Sequence, residues 1–267
     1  MNFDNLSIIL PALVVVLLVT ATHVPLGMQV LSRGIVFIDL AVAQIAGLGV
    51  IAADVLGWEA HGAAVQIAAF AAALAGALLL TWTERRWPEV QEATIGVVFV
   101  LGSSVAILLL ASNPRGGEHL KELLSGQILW VGWGRIAVDA VIYAVMFALW
   151  AGLRNRLAGL RLDRWRLGRV SFYVLFACVV TVSVQLVGLY LVFATLVVPA
   201  LATYYSPKHR MAKALGVGAV GYLVGLLASV LSDLPSGAMI VCAIGLVGAL
   251  LALATGHRSG PGSLRAN

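Results

Sequence analysis

Asp39 and Gln44 are the polar side chains in the body of an apolar run from 34 to 56. An ionisable group at membrane depth costs several kcal/mol unless it is paired or hydrated, which makes Asp39 a functional candidate by default. The chemistry on offer is cation passage: a carboxylate lowers the energy of a cation there, and the Gln44 carboxamide supplies a neutral oxygen beyond it. Five helical residues turn through about 500°, so the two side chains diverge by about 140° and line one pathway only if it is wide or the helix is distorted. Asp139 follows Arg135 by four residues, an i, i+4 pair read as a structural anchor near the outer end of its helix. Glu118, His119 and Glu122 cluster in one polar stretch, where a transient hold on a divalent cation competes with the plainer reading of a solvated helix face. The five histidines, His23, His61, His119, His209 and His257, fall in loops or at span ends, too scattered for a metal cage. Cys178 and Cys242 sit in apolar runs as small hydrophobes. There is no HExxH, no GxSxG and no phosphate-binding Walker loop, so the chain is read as no enzyme, with no cofactor of its own.

The elements that must carry these residues follow from composition. The chain has 267 residues, 61% of them apolar and 11% charged, with a mean hydropathy of +1.00. Such a chain lives in a membrane. At about 20 residues per span it has room for at most about ten crossings and none for an attached soluble ATPase. Apolar runs stand at 7–22, 34–56, 62–82, 93–112, 136–152, 170–203, 212–231 and 236–255. The first reads as a retained span, not a cleaved signal. The run 170–203 has 34 residues; as one helix it would reach about 51 Å against a hydrocarbon core of about 30 Å. It must be broken, and Gly188 is the expected hinge. Residues 1–255 are expected to form one all-α transmembrane bundle, with 256–267 a short flexible tail.

Charge sets the threading. The segment 154–169 carries six Arg against one acid, and 208–213 adds three basic residues with no acid. Both are placed in the cytoplasm, because basic loops stay inside. The long run between them must then cross an even number of times, which makes nine spans, with an eight-span bundle plus a re-entrant segment as the alternative. Threading outward puts 14 of the 17 basic residues inside, the N-terminus outside and the C-terminus in the cytoplasm. The basic surplus therefore reports orientation and lipid contact, and nucleic acid is not implied. The outer stretch 113–134 contains a leucine-rich stripe suited to a short interfacial helix, with Trp130 and Trp133 as interfacial anchors. Gly216, Gly218, Gly221 and Gly225 put a small-residue face on one helix, as tight packing in a membrane requires.

Five stretches then look familiar together: PLGMQVLSRGIVFIDLAVAQIAGLG (25–49), EATIGVVFVLG (92–102), LSGQILWVGW (124–133), VGLYLVFATLVVPALA (187–202) and DLPSGA (233–238). In this order they resemble the permease subunits of metal-ion ABC transporters, the zinc, manganese and iron uptake family. The resemblance implies a type II importer-like permease in a bacterial inner membrane, working as a homodimer. It also implies separate cytoplasmic ATPase subunits that hold ATP and magnesium, and an extracytoplasmic protein that delivers the divalent metal. In that setting the arginine-rich segment becomes the candidate coupling element, with Asp163, Arg164, Trp165, Arg166 and Gly168 as ATPase contacts, set against a simple orientation signal. The outer acids Glu59, Glu118, Glu122 and Asp233 become candidates for docking the binding protein.

One departure bears on the cargo. The family's second span carries Asp-x-x-x-His, which places both side chains on one helix face. Aligned on Gly49 without a gap, Leu40 stands at the Asp position and Gln44 at the His; shifted by one residue, Asp39 returns but Ala43 replaces the His. The imidazole is missing either way. Oxygen donors are harder than imidazole and favour manganese or iron over zinc, so Asp39 and Gln44 are named as pathway and metal candidates. Two other readings stand beside this one: a permease for a metal chelate such as a siderophore or cobalamin, and an ATP-independent cation carrier or channel.

Overall fold

The structure is a computed structural model. It describes residues 3–58, 63–110, 131–159, 164–206, 208–232 and 234–256, with 124, 126 and 128; side chains are described outside 3–9, 150–169 and 255–256. Among the described residues there are nine helices and no strand: α1 (Phe3–Arg33), α2 (Ile38–Val55), α3 (Ala63–Arg86), α4 (Gln91–Leu110), α5 (Trp133–Gly159), α6 (Arg164–Val187), α7 (Leu189–Ala202), α8 (Arg210–Ser232) and α9 (Ser236–Gly256). A single 3-10 turn, Pro88–Val90, leads into α4. Seven of the helices, α1 to α4, α6, α8 and α9, are long and apolar enough to cross a membrane. The 27 residues of α5 also suffice by length. The 14 residues of α7 cover about 21 Å, two thirds of the hydrocarbon thickness.

The break in the long apolar run falls at Gly188. Its φ of +83° lies in the left-handed region that costs glycine nothing, and its N–H closes α6 on the Val184 carbonyl at 2.9 Å. Gly126, φ +63°, sits directly on this break. A Cβ there would overlap the Val187 carbonyl and lie 2.5 Å from the Gly188 nitrogen.

The chain folds as two compact units, each described by itself. One comprises Met1–Arg33, Gln127–Gly132 and Tyr190–Asn267; the other comprises Gly34–Gly126 and Trp133–Leu189. In the first, α8 packs against α1 and α9. Gly218 faces Thr20 and Val24 of α1, while Gly221 and Gly225 lie against Ile244 and Ile240 of α9; a Cβ on Gly221 would come within 2.7 Å of the Ile244 Cα. Three of the four glycines expected on a close-packed face are therefore in use, and Gly216 faces open space. Pro199 lies inside α7, where Thr203 Oγ1 donates to its carbonyl at 2.8 Å, and Pro235 immediately precedes α9.

In the second unit α2 packs against α3, α4 and α6, and α5 packs against α6. Helices α2 and α4 run in the same direction, since Phe37 meets Glu92 at their starts and Ile51 packs with Ala106 and Leu110 near their ends. A polar ladder ties α3, α5 and α6 together. Arg135 Nε donates to Asp139 Oδ2 at 2.9 Å and Arg135 Nη2 to Gln185 Oε1 at 3.2 Å, and Gln66 Nε2 donates to the same oxygen at 2.7 Å. One turn on, Tyr143 and Ser183 share a hydrogen bond of 2.6 Å. The expected Arg135–Asp139 pair is thus present and belongs to a longer network. Asp139→Ala leaves the Arg135 guanidinium without its carboxylate. The expected loss is about 1–3 kcal/mol, discounted because Arg135 is 40% exposed, read as a lower thermal midpoint of the purified protein; an unchanged midpoint would make the pair ornamental.

The arginine-rich segment is more helical than a connecting loop. Helix α5 continues through Gly159 and α6 starts at Arg164. Arginine and leucine are good helix formers and no proline interrupts them.

Candidate functional site

The backbone between the first two helices sets the geometry around Asp39. The chain turns at Gly34, φ +70°, and α2 begins only at Ile38, so Asp39 stands in the first turn of its helix. This corrects the expectation of a residue set deep along a span that starts at 34. The position is electrostatically apt, because the unpaired N–H groups and dipole of a helix start favour negative charge. Asp39 is 1% exposed, and its carboxyl has no side-chain hydrogen-bond partner. The polar groups around it are the backbone N–H groups of Asp39 and Leu40 and the carboxyl of Glu92.

Glu92 is the residue that the sequence did not single out. Its Oε1 accepts a hydrogen bond of 3.3 Å from the Phe37 N–H, the residue that caps α2. Phe37 makes no side-chain cap of its own, so a carboxylate from 55 positions away in sequence does that work. The second oxygen, Oε2, is buried and has no partner. Two carboxyl groups therefore stand near the start of α2, Glu92 on the Phe37 N–H and Asp39 with only backbone N–H donors of its own helix start around it.

Gln44 faces elsewhere. With Ala43, Gly47 and Ile51 of α2, Ala106 of α4, Leu124, Val184 of α6 and Leu189 it lines a cavity of about 20 Å³, room for about one water molecule. Its carboxamide is the polar side chain among these lining residues, and Asp39 is not one of them. The structure keeps Asp39 and Gln44 at separate places on α2, as the angular divergence along the helix required.

The remaining site residues are distributed as follows. Arg164, Trp165, Arg166 and Gly168 occupy the first turns of α6, with side chains outside the described residues. Asp163, Glu59, Glu118, Glu122 and Asp233 also lie outside them. Among the described residues no three His, Cys, Asp or Glu side chains gather as a metal cage. His23, expected at a span end, is instead ten residues inside α1 and fully buried. The helix runs on past it because membrane helices tolerate proline, here Pro25, that would end a helix in water.

The model of the ABC 3 transport family matches residues 5–255 of this chain. The chain belongs to the ABC 3 transport family. It is thus a multi-pass membrane transport subunit and not an enzyme. An uncharacterised membrane protein of Synechocystis sp. is 31% identical over 192 residues, covering 65% of this chain and 66% of that relative, just under two thirds of its length. The manganese transport system membrane protein MntC of Halalkalibacterium halodurans is 23% identical over 90% of this chain and 85% of its own length. Among solved structures, PsaBC from Streptococcus pneumoniae in complex with Fab superposes with a TM-score of 0.69 at 20% identity, over 91% of this chain and 90% of that chain. That likeness establishes the helical permease fold.

Proposed function

We propose that this chain is the membrane-spanning permease of an ATP-driven importer for a divalent transition metal, working as a homodimer with separate ATPase subunits and an extracytoplasmic metal-binding protein. The observation that carries the reading is the Asp39 carboxylate, fully buried without a side-chain partner, with a second carboxylate, Glu92, close enough to act on it electrostatically. A buried charge without a partner is costly. A divalent cation passing the start of α2 supplies the missing positive charge, and the two acids together match its charge. Gln44, further along α2 and so nearer the outer face in this threading, offers a neutral oxygen in an otherwise apolar cavity that an inward-moving cation meets before the charged stop. The manganese transport named for a relative agrees with oxygen donors at this position. The N-terminus is placed outside and the C-terminus inside, on the distribution of basic residues.

In this reading the energy comes from a separate ATPase chain. Arg164, Arg166 and Arg169 stand in the first turns of α6, where positive charge opposes the helix dipole. An acidic surface docked there relieves that opposition, which supports this turn as the ATPase contact, with Asp163, Trp165 and Gly168 beside it. Glu59, Glu118, Glu122 and Asp233 are proposed to meet the binding protein on the other side.

Vesicles containing the permease, its ATPase subunits and the binding protein are expected to accumulate manganese or iron only with ATP, and vesicles containing the permease alone to accumulate none. Accumulation by the permease alone would overturn the reading in favour of a carrier. In the same system Arg164→Gln with Arg166→Gln is expected to reduce co-purification of the ATPase at least about tenfold, since each charge-assisted contact contributes of order 1 kcal/mol. Unchanged co-purification would move the coupling contact elsewhere.

A further inference from the structure

The imidazole absent from α2 has a counterpart on α1. His23 is fully buried, and its two ring nitrogens are in different situations. Nδ1 lies 3.0 Å from the Val19 carbonyl oxygen and 2.9 Å from Thr22 Oγ1. The Thr22 hydroxyl already donates to the Leu18 carbonyl at 2.8 Å. A carbonyl oxygen at that distance requires a hydrogen on Nδ1, so Nδ1–H is the donor and Nε2 carries a lone pair. Nε2 is buried with no partner. This is the arrangement found behind metal-ligating histidines, in which the second ring nitrogen donates to a backbone carbonyl and thereby fixes the tautomer and aims the lone pair of the first.

A second uncommitted polar atom lies on the same face of α1. Thr20 Oγ1 is also buried without a partner, and residues at i and i+3 share a helix face. Thr20 is held against Gly218 of α8. Two residues beyond His23, Pro25 removes the helix hydrogen bond to the Ala21 carbonyl, so this turn of α1 is the one best able to yield when a ligand enters. Buried polar groups are rarely left unsatisfied, and two such atoms on one face call for a ligand.

We propose that His23 Nε2, with Thr20 Oγ1 on the same helix face, is a binding station for the transported metal on α1, and that it gives the permease a nitrogen donor for zinc-like ions that α2 lacks. The inference rests on the proposed metal transport. Imidazole suits zinc, whereas manganese prefers oxygen, so the station acts on selectivity.

The test uses the purified permease with its ATPase subunits and measures equilibrium binding of Zn²⁺ and of Mn²⁺, each alone, to wild type, His23→Asn and His23→Gln. Asparagine keeps an N–H near the Nδ1 position and removes the Nε2 donor; glutamine returns an oxygen near Nε2. His23→Asn is expected to weaken zinc binding at least about tenfold, a loss of one ligand, while manganese binding changes less than about threefold. His23→Gln should likewise leave manganese binding within about threefold of wild type and recover zinc binding only in part. Equal zinc binding by wild type and His23→Asn overturns the station. No binding of either metal by wild type overturns the transport reading itself, a separate result. Should the variants not assemble, X-ray absorption at the zinc edge of the wild-type complex decides: imidazole scattering supports the station, and an all-oxygen shell overturns it.

Discussion

Asp39→Ala is expected to bring metal uptake by the complete transporter down on the order of a hundredfold or more, while dimer assembly and ATPase co-purification stay at wild-type levels. The size follows from what the carboxylate does. A cation at the start of α2 gives up water, and its compensation there is the charge of Asp39, buried at 1% exposure, with Glu92 beside it. Removing one of two charges at low dielectric costs a cation at least about 3 kcal/mol, which is about a hundredfold in occupancy. Assembly should survive, because Asp39 makes no hydrogen bond or ion pair to another side chain that the fold would lose. Glu92→Gln separates charge from structure. Glutamine keeps an oxygen to accept the Phe37 N–H, so α2 stays capped, and uptake should fall about tenfold with less loss of affinity than at Asp39. Wild-type uptake in Asp39→Ala would remove the carboxylate pair from the pathway. Loss of folding in Glu92→Gln with normal uptake per folded molecule would reduce Glu92 to a cap.

Much of the scaffold was legible because a bilayer imposes length. The 34-residue run had to break, and it breaks at Gly188, the one glycine placed to absorb a positive φ in its middle. The family, the all-helical class and the tight glycine face of α8 were likewise carried by pattern. What escaped was the detail that polar atoms decide. The four residues 34–37 are as apolar as a helix, so nothing in them announced that α2 would start at Ile38 and put Asp39 at its positive end. Glu92 lies in a motif that helped identify the family, yet its contact with Phe37 spans 55 positions, and no local period predicts a cap supplied from another helix. His23 was misplaced for the opposite reason. Thr22, His23 and Pro25 together look like the end of a span, whereas α1 carries them through by bonding Thr22 and His23 back to its own carbonyls. The arginine-rich segment misled in the same way, since charge marks the side of the membrane but does not forbid a helix.

Gly126→Ala tests whether the break at Gly188 is built or incidental. Gly126 is at φ +63°, where any β-carbon is strained, and its missing Cβ leaves the space taken by the Val187 carbonyl and the Gly188 nitrogen. These are backbone atoms of the end of α6 and cannot step aside as a flexible side chain would. Alanine must push the segment away from α6 or bend the end of α6 itself, and overpacking with backbone strain of this kind costs about 2–4 kcal/mol. For a marginally stable protein that is a large share of the total, so the folded yield and thermal midpoint should drop clearly. Gly188→Ala carries the backbone cost at φ +83° with α6 still held at Val184, so its destabilisation should be the smaller of the two, about 1–2 kcal/mol. The ordering separates two accounts of the junction. If Gly126 is the more sensitive position, the break is held open by a segment packed onto it, and the chain can pivot there only by lifting that segment off. If Gly188 is the more sensitive, the break is a local turn that needs no support.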